Sequence, residues 1–98
     1  MVEQTNSNIN PPYEMKHLDS ENVTIIQAET VELVEQKRLG TSTMEIDIKD
    51  ITGVEKLPGD EGDMLILRRK RGNPMRIGPL DSVVATTGSN LLKQLIGK

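Results

Sequence analysis

The sequence predicts a mostly β domain of the α+β class, in which six or seven antiparallel strands form a roll or barrel and one C-terminal helix covers it. Three observations lead to this prediction. Short β-branched or alternating segments follow one another through residues 23–77, and turn residues separate them at close intervals. Amphipathic helical spacing occurs only near the C-terminus. The chain has 98 residues, which indicates a single domain.

The first half of this domain contains three predicted strand segments. Residues 23–28 and 31–35 are rich in β-branched side chains, and Gly40-Thr41-Ser42 is predicted to form a turn. Residues 44–49 then alternate strictly between apolar and charged side chains. This pattern predicts a strand with one buried face, formed by Met44, Ile46 and Ile48, and one face in water.

The second half continues with shorter strands. Gly53 is expected to mark a bend or bulge that leads into one of them, and residues 58–63 are a loop rich in glycine and acidic residues. Residues 64–69 and 75–77 are predicted to form a hairpin around a turn at 71–74.

The C-terminal segment allows two interpretations. A helical spacing begins at Leu80 and ends at Leu95, with Asp81 or Ser82 as its N-cap. Thr86-Thr87-Gly88 is unfavourable to a helix, however, so residues 82–87 are either a last strand or the first turns of the helix. If they are a strand, a shorter helix follows from Ser89 to Ile96, so that residues 91–96 are predicted to be helical under both interpretations.

Residues 1–20 are predicted to be a flexible N-terminal tail, which leaves residues 21–98 as the domain. The tail is polar, has no hydrophobic period and contains Pro11-Pro12. It also holds the only histidine, His17, which we expect to be solvated rather than part of an active site. Alternatively, the tail is an extended peptide that docks onto a partner or a neighbouring protomer. Its anchors would then be Ile9, Pro11, Pro12, Tyr13 and Met15.

The composition limits the kind of core and the compartment. Tyr13 is the only aromatic residue and there is no cysteine, so the core must consist of aliphatic side chains and methionine, without disulfides. No apolar run is long enough to span a membrane, and the N-terminus lacks the features of a secretory signal. These features predict a cytoplasmic protein, with peripheral membrane contact as the alternative.

The charges are distributed unevenly along the chain. The net charge is −3, which argues against a dedicated nucleic-acid binder. Acidic residues dominate 45–63, and a basic cluster with no acid among its members follows them. That cluster is the predicted binding site and consists of Arg68, Arg69, Lys70, Arg71 and Arg76. Strand alternation would place Arg68 and Lys70 on one side, and Arg69 and Arg71 on the other.

The order of the elements resembles the pleckstrin-homology-like fold, particularly the prokaryotic PH-like and GRAM-like domains. Residues 46–55, Ile-Asp-Ile-Lys-Asp-Ile-Thr-Gly-Val-Glu, carry this resemblance. Residues 62–77 look like the hairpin that follows in that family, and residues 91–95 look like its capping helix. The resemblance implies a module that binds lipids, peptides or other copies of the fold. The segment near Glu29 is acidic where the family binds phosphoinositides, so lipid specificity is not carried over.

No catalytic, metal or cofactor motif is recognisable in the sequence. Asp60-Glu61-Gly62-Asp63 lacks the spaced ligands of a calcium loop and is interpreted as a polar turn. We therefore expect a non-catalytic binding module without cofactors, which mediates protein–protein interaction or self-association. The alternative is binding of anionic lipid or a phosphorylated ligand through the basic hairpin, because arginine pairs well with phosphate oxygens.

Overall fold

The computed structural model describes residues 10–97, and within them seven strands precede one long helix. A 3₁₀ turn, Ile48–Asp50, joins the fourth strand to the fifth. The elements in chain order are β1 (Tyr13–Lys16), β2 (Val23–Ile26), β3 (Thr30–Lys37), β4 (Gly40–Asp47), β5 (Ile51–Leu57), β6 (Asp63–Arg69), β7 (Met75–Leu80) and α1 (Ser82–Ile96).

The strands form two antiparallel sheets. The first sheet has the order β1-β2-β3-β4, and the second has the order β5-β6-β7. Together with α1 they make a mostly β roll, which confirms the predicted fold class. The barrel that the sequence left open as an alternative is wrong, because β4 does not pair with the second sheet and the roll stays open there.

Aliphatic side chains and one methionine from both sheets and the helix form the core. Leu65, Leu67 and Ile77 of the second sheet face Ile26 and Val31 of the first, and all five are fully buried. Closely packed branched aliphatic side chains therefore fill the space that large aromatic side chains occupy in other cores.

The β3–β4 hairpin explains why one predicted core residue is exposed. Ile46 and Ile48 are buried as the alternation predicts, but Met44 is 51% exposed. Ile48 itself belongs to the 3₁₀ turn rather than to the strand. The expectation for Met44 was wrong because the inner face of β4 is left open beyond Ile46, where the second sheet does not cover it.

The irregularities expected in the second sheet are present. The β5–β6 register shifts between Ile51 and Gly53, which confirms the predicted bulge. The loop after β5 and the turn between β6 and β7 also lie where the glycine and proline residues indicated. In the first sheet, the turn predicted at Gly40-Thr41-Ser42 is wrong: the chain turns at residues 38–39, and residues 40–42 already belong to β4.

Helix α1 starts at Ser82, so the interpretation of residues 82–87 as a last strand is wrong. Asp81 is the N-cap, and its carboxylate accepts hydrogen bonds from the backbone N–H groups of Val83 (3.0 Å) and Val84 (3.4 Å). Ala85, Leu91 and Leu92 turn inward and close the core. Helix α1 thus covers one opening of the roll, mainly along β5.

The predicted N-terminal tail is wrong for part of its length. Residues 13–16 form β1, which pairs with β2, and Met15 is fully buried opposite Thr24. The alternation of Tyr13, Glu14, Met15 and Lys16 is that of an ordinary strand, and its inward residue docks into the chain's own core. Residues 1–9, which include the proposed anchor Ile9, lie outside the described part of the chain.

Gly88 lies inside α1 because Met15 packs directly against the helix there. A Cβ atom at position 88 would overlap the sulfur of Met15 and lie 3.6 Å from Cδ1 of Ile26. Glycine within a helix costs about 1 kcal/mol relative to alanine. The close approach of β1 to α1 accounts for a glycine at this position despite that cost.

Within residues 10–97, no helix has the length and apolar character required to cross a membrane.

Candidate functional site

The most distinctive surface of the molecule is the gap where the roll stays open, between β4 and the β6–β7 hairpin. We call it the inter-sheet groove. It consists of two adjoining hollows, and the exposed side of Met44 lines both. The basic hollow has a volume of about 400 Å³. The apolar hollow has a volume of about 190 Å³.

The structure divides the predicted basic cluster between this groove and the opposite face of the second sheet. Arg68 lies on the outer face, where its Nη2 donates to Oε1 of Glu55 at 2.6 Å. Arg76 pairs in register with Ile66 and therefore belongs to that outer face as well, at the rim of the apolar hollow. Arg69, Lys70 and Arg71 line the basic hollow together.

Arg68 lies on the other side from Arg69 and Arg71, as the alternation predicts, but the prediction is wrong for Lys70 because β6 ends at Arg69. Lys70 and Arg71 belong to the turn, where the two-residue period of a strand no longer applies. This turn brings both residues to the same hollow as Arg69, which the alternation had separated from Lys70.

Two contacts fix the basic turn in place. Nε of Arg69 donates to the carbonyl oxygen of Asn73 at 2.9 Å, and its guanidinium lies over Gly72. Gly72 has φ +90°, which glycine adopts without strain, and a Cβ there would approach Nη2 of Arg69 to 2.8 Å. Both the backbone conformation of the turn and the position of the arginine therefore favour glycine here. The N–H of Lys70 donates to the carbonyl of Asp50 at 2.8 Å, which ties the turn to the 3₁₀ segment.

The basic hollow also contains two carboxylates. Glu45 and Asp50 are among the residues that line it. Among residues 10–97, however, neither carboxylate lies within ion-pair distance of Arg69, Lys70 or Arg71. Since Glu45 alternates with the buried Ile46, its side chain projects to the outer face of the first sheet. The cations are therefore available to a charged ligand in the groove.

The apolar hollow has a floor of Leu33, Met44 and Met75. A polar pair lies beside that floor: the buried hydroxyl of Thr24 shares a hydrogen bond of 2.9 Å with Nε2 of His17. Burial of the ring lowers the pKa of His17, and the Asp19 carboxylate and a hydrogen bond with the Gly78 backbone partly oppose this shift.

His17 was expected to be a solvated tail residue, and that expectation was wrong. It follows β1 directly and packs where the two sheets meet, since the N–H of the next residue, Leu18, donates to the carbonyl of Pro79 at 2.8 Å. The alternating pattern of residues 13–16 is the signal that would have placed His17 within the fold.

Within the described residues, one side of the groove is a strand edge with no further strand paired to it. β4 is the last strand of the first sheet, and its ladder with β3 closes on the pair Lys37 and Gly40. Hydrogen-bonded pairs alternate with non-bonded ones in an antiparallel ladder. The pair that closes a two-residue loop is hydrogen-bonded, so Gly40, Ser42, Met44 and Ile46 bond to β3. The backbone N–H and C=O groups of the residues between them point away from β3, namely those of Thr41, Thr43 and Glu45.

The other edge strands in the described part of the chain are shorter than β4, and α1 contacts two of them. β1 has only four residues and contacts α1, and α1 also packs along β5, where Nζ of Lys56 donates to Oγ1 of Thr86 at 3.0 Å. β7 carries Pro79, whose carbonyl already accepts the Leu18 N–H. Between residues 10 and 97, β4 is thus the longest edge strand, and it pairs on one side only.

A scan of protein-family models, a search of curated proteins and a search of solved structures each found no match to this chain.

Proposed function

We propose that this protein is a non-catalytic binding module that takes up an extended segment of a protein partner as an additional strand on β4. The observation that carries the proposal is the edge of the eight-residue strand β4, which within residues 10–97 pairs only with β3 and lies beside the inter-sheet groove. Strand addition obtains its affinity from main-chain hydrogen bonds and its specificity from pockets for alternate side chains, and the groove supplies such pockets.

The residues of β4 support this proposal because they do not protect the edge. Natural sheets block free edges with lysine, proline, bulges or a covering segment. The first five residues of β4 are Gly-Thr-Ser-Thr-Met, which include no charge and no proline, and the β3–β4 register has no bulge. An edge of this kind promotes unwanted association unless a specific partner occupies it.

The arrangement of the elements also supports the PH-like resemblance as a proposal. Seven strands followed by one C-terminal helix is the order on which the resemblance depends. Fold alone does not define a ligand, so the choice of a protein partner depends on the β4 edge.

A second candidate is binding of anionic lipid or a phosphorylated ligand. One observation favours it: Lys70 and Arg71 are exposed in the turn between β6 and β7, where several cations meet. Pelleting with anionic but not neutral vesicles at physiological salt, and loss of pelleting in Arg69→Glu/Arg71→Glu, would support this candidate over a protein partner.

A proline substitution on β4 tests the main proposal. Thr43→Pro removes one outward N–H while leaving the ladder to β3 intact, and Thr43→Val is the matched control that keeps the N–H. Peptides of about nine residues, selected from a displayed random library on the wild-type protein, should bind Thr43→Val normally and Thr43→Pro at least about tenfold more weakly. Equal binding to both variants, with their folds verified by circular dichroism, would contradict strand addition at β4.

A further inference from the structure

We infer that the segment taken up by β4 carries an acidic residue followed, two positions later, by a large aliphatic residue. This inference rests on the proposed strand addition and specifies the chemistry of the partner. It follows from which hollow each side chain of an added strand would face.

Side chains of an added strand alternate between the two faces of the first sheet. Those opposite Met44 and Ile46 point inward to the groove, because Ile46 is buried on that face. The position opposite Ile46 lies beside Arg69, Lys70 and Arg71, whereas the position opposite Met44 lies over the apolar floor. One inward side chain therefore meets cations, and the next meets methionine and leucine.

Charge selects an acid for the first position. Three cations line the basic hollow against two carboxylates, and the Glu45 side chain belongs to the opposite face of the sheet. Arg69 is already held by the Asn73 carbonyl, so its guanidinium loses little freedom when it pairs. A carboxylate gains from this arrangement, whereas a lysine at the same position is repelled.

Shape selects an aliphatic side chain for the second position. The apolar hollow is small, about 190 Å³, and its floor of Leu33, Met44 and Met75 offers room for one side chain of leucine or methionine size. Methionine side chains adapt to different aliphatic shapes, which suits a site that tolerates several related residues.

The order of the two residues follows from strand direction. The added strand is taken to run antiparallel to β4, as do all neighbouring strands of the first sheet. The partner residue opposite Ile46 then precedes the partner residue opposite Met44 along its chain. The predicted motif is therefore Glu or Asp, any residue, then Leu, Ile or Met.

A set of synthetic peptides tests this motif. The parent is a threonine-rich nonapeptide with Glu-Thr-Leu at its centre, compared with versions in which Gln or Lys replaces Glu, or Asn replaces Leu. Fluorescence polarisation should show the parent binding about threefold more tightly than the Gln peptide and about tenfold more tightly than the Lys peptide. Higher salt should reduce these differences. The Asn peptide should bind about tenfold more weakly than the parent.

Protein variants assign the effect to the groove. Arg71→Gln should weaken binding of the parent peptide and leave binding of the Gln peptide unchanged. Arg68→Gln is the matched control and should change neither affinity, because Arg68 pairs with Glu55 on the other face. An equal effect of Arg71→Gln on both peptides would overturn the proposed contact with the acid.

The outcomes separate the two proposals. Equal affinity for the Glu, Gln and Lys peptides, lost in Thr43→Pro, would overturn the acidic motif and leave strand addition standing. A peptide concentration of about 1 mM is well above the dissociation constants of typical specific complexes. If no peptide binds at that concentration, both the acidic motif and the addition of a strand from another protein are overturned. Oligomers of the wild-type protein that dissociate in Thr43→Pro would instead identify a second copy as the occupant and overturn the acidic motif.

Discussion

The sulfur of Met15 occupies the space beside Gly88 that a Cβ atom would require, so strand β1 and helix α1 meet with no side chain of the helix between them. The contact joins an early segment of the described chain to its last element. It holds β1 in the first sheet and keeps α1 over the opening of the roll, and His17 and the groove depend on both.

Gly88→Ala should destabilise the fold even though alanine is the better helix former. The gain in helix propensity is about 1 kcal/mol, whereas forcing a methyl group into a packed site costs about 1–3 kcal/mol, and the overlap with Met15 places this site toward the upper end. Urea unfolding would measure the loss. Gly53→Ala is the control, because a Cβ there meets nothing within 4 Å; an equal loss in both variants would contradict the packing argument.

Met15→Ala should lower the free energy of unfolding by about 2–5 kcal/mol, as expected for a large-to-small change at a fully buried site. In the double variant Met15→Ala/Gly88→Ala, the smaller side chain leaves room for the methyl group. The double variant should therefore lose less unfolding free energy than the sum of the two single losses, by about 1 kcal/mol or more. Strict additivity, or an unchanged midpoint for Met15→Ala, would indicate that β1 does not pack on the helix.

His17 should make stability depend on pH in a defined direction. Its folded pKa lies below the unfolded value, so the unfolded chain binds the extra proton. The contribution of His17 to the free energy of unfolding is complete above the unfolded pKa of about 6.5. It is lost as the pH falls through that value toward the folded pKa. His17→Asn should therefore lose less stability than the wild type between about pH 7.5 and about pH 5. An identical pH dependence in the two proteins would exclude this role.

The ion pair between Arg68 and Glu55 should contribute little. Both side chains are about half exposed, at 55% and 50%, so solvent and salt screen the pair despite its 2.6 Å separation. Glu55→Gln should change the unfolding free energy by less than about 1 kcal/mol, and added salt should reduce the difference further. A larger loss in a thermal or urea titration would show that the pair also organises the outer face around Ile66, which is only 7% exposed.

The sequence predicted those parts of the fold that depend on local chemistry. The burial of Ile46 and Ile48, the loop after β5 and the bulge at Gly53 are all encoded by neighbouring residues, and each was predicted. The start of α1 was ambiguous because Gly88 disfavours a helix, and β1 was missed because a four-residue strand resembles polar tail sequence. Both problems have one cause, the contact between Met15 and Gly88, which no local pattern reveals.

The candidate site was predicted in composition but not in arrangement. The basic cluster is evident from the sequence, yet its division between the groove and the outer face depends on where β6 ends. The exposure of Met44 depends on how far β4 runs past the second sheet. The free edge of β4 is a property of strand order, which sequence periodicity does not contain.

Amide hydrogen exchange by NMR tests the strand addition most directly. Thr41, Thr43 and Glu45 should exchange rapidly in the free protein and slowly once a selected peptide is bound. Ser42 and Met44 already face β3 in the ladder and should change little. Protection that appears at these three outward amides would support β4 as the binding edge. Saturating peptide that leaves them unprotected, with protection arising elsewhere, would contradict it.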